Sequence, residues 1–428
     1  MDAMISPRAQ SALGLAVFCA LAWLFSERKG QFPFIQFATA LALQVGIAAI
    51  FLRVPAARDS LDGLNGAVAA LQQATEAGTT FLFGYIGTST TSDLPFQPAE
   101  GENVGFFVFA FQALPLLVFV SALAAVLWHW GILKLIIRGF AIIVARLLGT
   151  GGAVSLAASA NVLLGQTEAP LLIRPYLRAV SRSELFAIIA CGYATVAGTV
   201  MALYAFILTP LDPSMLGHIL VASIISVPAA LLIAQIMVPP DADEKPTRAD
   251  QEAEGFAYDS TIDAFSAGAV EGGKLWANII IAILAFIALA ALINIILDAV
   301  VPDIAGAPLT LERVLGWIFA PFVWLAGVPG DQALVAGELM GFKTAINEVI
   351  AYERLAGLPP EALDDRSTLI MVYALCGFAN IGSLGIVIGG LSALEEGRRS
   401  EVIELAPRAL LAGTFATLSS GAAVGLVW

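Results

Sequence analysis

The sequence predicts an all-α polytopic membrane protein with eight transmembrane helices, two re-entrant helical hairpins, interfacial helices and an inverted repeat with discontinuous helices. Three observations carry this expectation. First, 59% of the 428 residues are hydrophobic and only 13% charged, with mean hydropathy +0.86, whereas a soluble chain carries about 25% charged residues. Second, long apolar runs recur, most of them near the ~20 residues a helix needs to cross a bilayer core. Third, two further apolar segments are interrupted by polar kinks that hold Glu168 and Glu348.

The runs fall at 13–25, 34–51, 106–130, 185–208, 216–238, 275–297, 369–391 and 406–427. None shows strand-like alternation, so helices are expected rather than a barrel. The N-terminal stretch lacks a convincing signal-peptide cleavage site, and the first run is expected to be retained. Residues 60–79 place Leu61, Leu64, Val68 and Leu71 at helical spacing and read as a helix lying in the interface. Residues 239–256 are acidic and proline-bearing, a solvated linker. Phe265, Val270 and Trp276 then lead into the sixth span through another expected interfacial helix. Trp128 and Trp130 read as interface-belt anchors. With the N-terminus outside, fourteen Lys and Arg fall on the cytoplasmic side and six outside, the asymmetry that sets orientation. Cys19, Cys191 and Cys376 all lie in apolar runs and read as small buried hydrophobes. The net charge of −13 does not attract nucleic acid, and none is expected as a partner.

The interrupted segments have the lengths of half-crossings. Residues 155–164 make ten residues of helix, which at 1.5 Å per residue is ~15 Å, half the core. The chain then turns at Gly165-Gln166-Thr167, and 168–177 is expected to return as a helix capped by Thr167, with Pro170 tolerated in its first turn. The second hairpin repeats the plan, with Asn347 as cap and Glu348 at the first helical position. A repeat follows each hairpin: Cys191-Gly192-Tyr193-Ala194-Thr195-Val196-Ala197-Gly198 matches Cys376-Gly377-Phe378-Ala379-Asn380-Ile381-Gly382-Ser383. An odd number of crossings separates the copies, so they are inverted. Paired breaks in inverted repeats point to a transporter with its site where the breaks meet. The chain divides into 1–148 (spans 1–3 and scaffold), 149–238 (first repeat), 239–305 (linker and span 6) and 306–428 (second repeat).

An ionisable group at mid-bilayer costs about 2.5–3.5 kcal/mol even on a lenient scale, so Glu168 and Glu348 need a reason to be there. Either they cap half-helices, or they receive a ligand's donors. Carboxylates only accept hydrogen bonds, while Gln166, Thr167, Asn380 and Ser383 both donate and accept. Together they suit a neutral ligand rich in hydroxyls and amides. No Lys or Arg sits at either break, which argues against phosphate or carboxylate substrates. Lys343, about one turn before the second tip, is left to snorkel or to pair. Asn161 and Thr195, with carbonyls freed at the breaks, are candidate ligands for sodium or plain helix–helix partners. A membrane hydrolase, a channel and a facilitator for another neutral polar solute are the rival classes.

At these residues the chain resembles the concentrative nucleoside transporter family. The matching stretches begin at Phe109 (FAFQALP), Gly165 (GQTEAPLLIRPY), Lys343 (KTAINEVIAY) and Ala374 (ALCGFANIGS), in the family's order. The first two spans fit its bacterial, eight-span form. The resemblance implies a homotrimer in a bacterial inner membrane, with a scaffold built from spans 3 and 6. It implies a nucleoside substrate of the uridine, cytidine and adenosine class, co-transported sodium, no organic cofactor and no enzymatic activity. It also implies roles: Gln166, Thr167 and Glu168 for the base, Val200 lining its pocket, Glu348, Asn380 and Ser383 for the ribose, and Phe378 packing nearby. Asn161, Leu164, Thr195 and Val196 match the positions that give oxygens to sodium. Two departures stand out: Val154 where the family commonly has glutamate, and Thr195 where serine is frequent. Some relatives use protons, which leaves proton coupling as the alternative.

Overall fold

The computed structural model describes residues 6–88, 107–166, 168–241, 243–248, 256–304, 306 and 308–428, the side chains of 58, 60–62, 64 and 65 excepted. Among them there is no β-strand. The chain opens with α1 (Pro7–Leu24), capped by Ser6, and α2 (Phe34–Arg53). α3 (Pro55–Phe83) starts after the single residue Val54, with proline in its first turn where a missing N–H is tolerated. It is longer than the interfacial helix expected over 60–79. The third span is α4 (Phe109–Gln112) and α5 (Leu116–His129), interrupted just before Pro115 removes a donor. α6 (Ile132–Leu148) is amphipathic and bounded by two left-handed glycines, Gly131 and Gly149.

The first repeat comprises α7 (Gly152–Asn161), α8 (Ala169–Leu172), α9 (Arg182–Ala194), α10 (Gly198–Leu208) and α11 (Met215–Met237). α9 begins with a reciprocal capping box between Ser181 and Glu184. α12 (Thr261–Val300) and α13 (Leu311–Ala326) follow. The second repeat holds α14 (Ala333–Ala345), α15 (Glu348–Ala356), α16 (Asp365–Leu375), α17 (Ile381–Leu394) and α18 (Arg399–Val427). Among the described residues seven stretches are long and apolar enough to cross a membrane; the crossing left over is the broken pair α16 and α17.

Three expectations need correction. The interfacial helix expected before the sixth span is not separate: α12 is one 40-residue helix. Its glycines do not break it but let it lie against α5. A Cβ at Gly268 would stand 2.7 Å from the Ser121 carbonyl oxygen, and one at Gly272 would stand 2.7 Å from the Val118 Cα. The returning limb of the first hairpin is not a helix over 168–177 but the single turn α8 and a 3-10 turn over Arg174–Tyr176. Pro170 and Pro175 each remove a donor there. The expected Thr167 cap lies outside the described residues. Finally, Trp128 is not a belt anchor: it is 2% exposed and donates its indole N–H to the Phe256 carbonyl at 3.0 Å.

The core gathers around α9, α11 and α18. The rest of the chain covers 89% of the most apolar stretch of α9 and α10, but only 6% of that of α12, which therefore forms an outer face.

Candidate functional site

The broken spans position the site. α9 stops at Ala194, Thr195 and Ala197 run extended, and α10 resumes at Gly198. The Gly198 N–H donates to the Leu163 carbonyl at 3.0 Å, tying this break to the turn of the first hairpin. A Cβ at Gly198 would lie 2.9 Å from that oxygen, so glycine is what permits the approach. In the seventh span α16 stops at Leu375 and α17 starts at Ile381. Asn380 caps α17 by accepting from the Ser383 N–H at 2.7 Å. The two breaks touch. A Cβ at Gly377 would stand 2.8 Å and 3.0 Å from the carbonyl oxygens of Tyr193 and Ala194.

Both hairpin tips reach this junction. Asn347 caps α15 as anticipated, accepting from the Ile350 N–H at 3.0 Å, and Glu348 is the first helical residue. Glu348 is only 4% exposed. Tyr204 donates its hydroxyl to Glu348 Oε1 at 2.6 Å, and Asn380 donates Nδ2–H to Oε2 at 3.0 Å. One donor comes from α10 and the other from the seventh span, so the two repeats share this carboxylate. From the first hairpin, Gln166 donates Nε2–H to Ser383 Oγ at 3.1 Å. Gln166, Ser383, Asn380, Glu348 and Tyr204 thus form one continuous polar string. Glu168 is half-buried beside Gly165, whose φ of 100° makes the left-handed turn of the tip. No side chain among the described residues donates to Glu168, which leaves its carboxylate open to donors from elsewhere. Val200 is buried in the first turn of α10 and Phe378 is half-buried in the second break. Thr167 lies outside the described residues.

Of the four residues matched to sodium, Thr195 and Val196 lie in the first break, Leu164 in the hairpin turn next to the bonded Leu163, and Asn161 near Gly192 of α9. Asn161 ends α7, is 1% exposed, and has no hydrogen-bond partner for its Oδ1. Leu164 follows in the turn. Thr195 donates its hydroxyl proton to the Cys191 carbonyl at 2.9 Å, which leaves its lone pairs available. A buried acceptor left unpaired costs about 1–3 kcal/mol. An amide oxygen, a hydroxyl oxygen and freed carbonyls are hard oxygen donors suited to an alkali cation.

Three residues were not assigned from the sequence. Tyr204 sits in an apolar run without any local signal. Ser223 of α11 faces Val196, its Oγ 3.4 Å from the N–H and 3.5 Å from the carbonyl oxygen. Lys343 pairs rather than snorkels: fully buried, it donates to the Ala374 carbonyl and to Thr417 Oγ1, both at 2.8 Å.

Hairpins with matched breaks, meeting at a buried polar string inside an apolar bundle, define a membrane transporter. Its relatives agree. The chain belongs to the concentrative nucleoside transporter family. Residues 13–86 match the family model of the Na+ dependent nucleoside transporter N-terminus, 110–211 that of the nucleoside recognition gate, and 218–425 that of the Na+ dependent nucleoside transporter C-terminus. The chain is 37% identical to an uncharacterized transporter of Haemophilus influenzae and 34% to the nucleoside permease NupC of Helicobacter pylori, covering 97% of both chains in each case. It also resembles the structure of CNTnw in an inward-facing substrate-bound state (TM-score 0.86, 37% identity, 98% of each chain). A CNTnw variant in an outward-facing state matches as well (TM-score 0.87, 37% identity, 98% of this chain and 97% of that one). Membership makes the chain a nucleoside transporter of the membrane and not an enzyme.

Proposed function

We propose that the chain is a sodium-coupled symporter that imports nucleosides by alternating access, as a homotrimer in a bacterial inner membrane. The observation that carries the reading is the polar string from Gln166 to Tyr204, with Asn161, its oxygen unpaired, near Gly192 of α9. Glu348, Asn380 and Ser383 take the ribose hydroxyls. Gln166, Thr167 and Glu168 face the base, with Val200 and Phe378 as its apolar walls. Sodium, a cargo ion here, sits among Asn161 Oδ1, Thr195 Oγ1 and the carbonyls of Leu164 and Val196, where it orders the first tip and raises nucleoside affinity. The Na+ dependence by which the family is described and the inward- and outward-facing states of CNTnw support this cycle. α5 and α12 form the scaffold against which the repeats move.

The test is tritiated uridine uptake into proteoliposomes. An inward sodium gradient should drive accumulation above equilibrium. Equal uptake with choline replacing sodium at constant pH would reject sodium coupling, and stimulation by an acid-outside gradient instead would point to protons.

A further inference from the structure

We propose that Tyr204 is a positioning residue for the sugar, orienting Glu348 so that its remaining acceptor capacity is turned to the ribose hydroxyls. The inference rests on the reading of Glu348 as the ribose acceptor. A carboxylate has about four acceptor sites, two per oxygen. Tyr204 takes one on Oε1 at 2.6 Å and Asn380 one on Oε2 at 3.0 Å. The Glu348 main-chain N–H is a third donor to the carboxylate, and the acceptor capacity left over is what the sugar hydroxyls can use. The Tyr204 hydroxyl is held as firmly as the group it holds. Its ring is fully buried and lies 4.9 Å from the Tyr352 ring at 43°. Tyr352 follows Glu348 by four residues on α15, so both share one helix face. Tyr352 is fastened in turn by donating its hydroxyl to the Val372 carbonyl at 2.8 Å. Glu348 would otherwise lose several rotatable bonds only on binding; Tyr204 fixes them beforehand, and such preorganisation raises affinity. The donor comes from the first repeat and the acceptor from the second, so the sugar site is complete only when both halves are in place.

The experiment measures uptake of uridine, 2′-deoxyuridine and 3′-deoxyuridine by the full chain in proteoliposomes, for wild type, Tyr204→Phe and Glu348→Gln. The phenylalanine keeps the ring and its Tyr352 contact. For Tyr204→Phe we expect the uridine KM to rise about tenfold, the loss of one hydrogen bond to a charged group, with Vmax and thermal midpoint unchanged. The ratio of deoxyuridine KM to uridine KM should fall toward one. A merely structural role would lower Vmax or the midpoint and leave that ratio alone, and an unchanged ratio overturns the proposal. Wild-type uridine uptake by Glu348→Gln, or equal KM values for all three nucleosides in wild type, would instead overturn the ribose reading beneath it.

Discussion

Glu348 receives two side-chain donors from other elements, so replacing it removes an acceptor and strands Tyr204 and Asn380 together. Glu348→Gln is expected to abolish uptake while the protein still folds, with an affinity loss of about ten- to a hundredfold; a binding titration with uridine checks it. Asn161→Ala and Thr195→Ala should each raise the sodium concentration for half-maximal uptake, read from a sodium titration at fixed uridine. Lys343→Met should lower the thermal midpoint in detergent, because the Ala374 carbonyl loses its Lys343 donor while Thr417 keeps its bond to the Thr414 carbonyl, at roughly 1–3 kcal/mol for an acceptor left buried. The acidic tips were legible in the sequence because a carboxylate in apolar surroundings demands an explanation. Tyr204 was not. A tyrosine in an apolar run is cheap, and its partner lies 144 residues away. Asn347 was legible as a cap because caps are local; the partners of Lys343 were not, because they lie on two distant helices.

At the scale of elements, helix existence was easier to read than helix continuity. Breaks that follow from residue type, as at the two repeat motifs, fell where expected. The approach to the sixth span read as a separate interfacial helix in one dimension and proved continuous with α12, its glycines forming a packing surface. Gly272→Leu should therefore push α12 off α5, since a Cβ there already meets backbone at 2.7 Å. A drop in melting temperature would show it, whereas the same change at Gly273, where nothing lies within 4 Å, should be tolerated. The short return limb α8 was missed for the converse reason: two prolines close together were read as one tolerated proline at a helix start.

For the whole molecule, the proposed function puts ion and nucleoside at one junction, which requires their affinities to be linked, and reciprocally so. Raising sodium should lower the uridine KM, and raising uridine should lower the sodium requirement by the same factor; binding isotherms at several concentrations of each check this, and independent affinities would refute it. The inverted arrangement was legible from the repeated motif and an odd number of crossings. That the breaks meet was legible too; the partners that join them, Tyr204 to Glu348 and Gln166 to Ser383, were not, because each pair is far apart in the chain.

That contact has a mechanical corollary. At Gly377 the halves meet main chain to main chain, with the carbonyls of Tyr193 and Ala194 directly against the glycine and the Thr417 methyl packed beside it. A seam so tight resists parting like the jaws of a clamp. Cargo held across it is better moved by shifting the fused pair bodily, and the stroke has to be taken up at the looser rim.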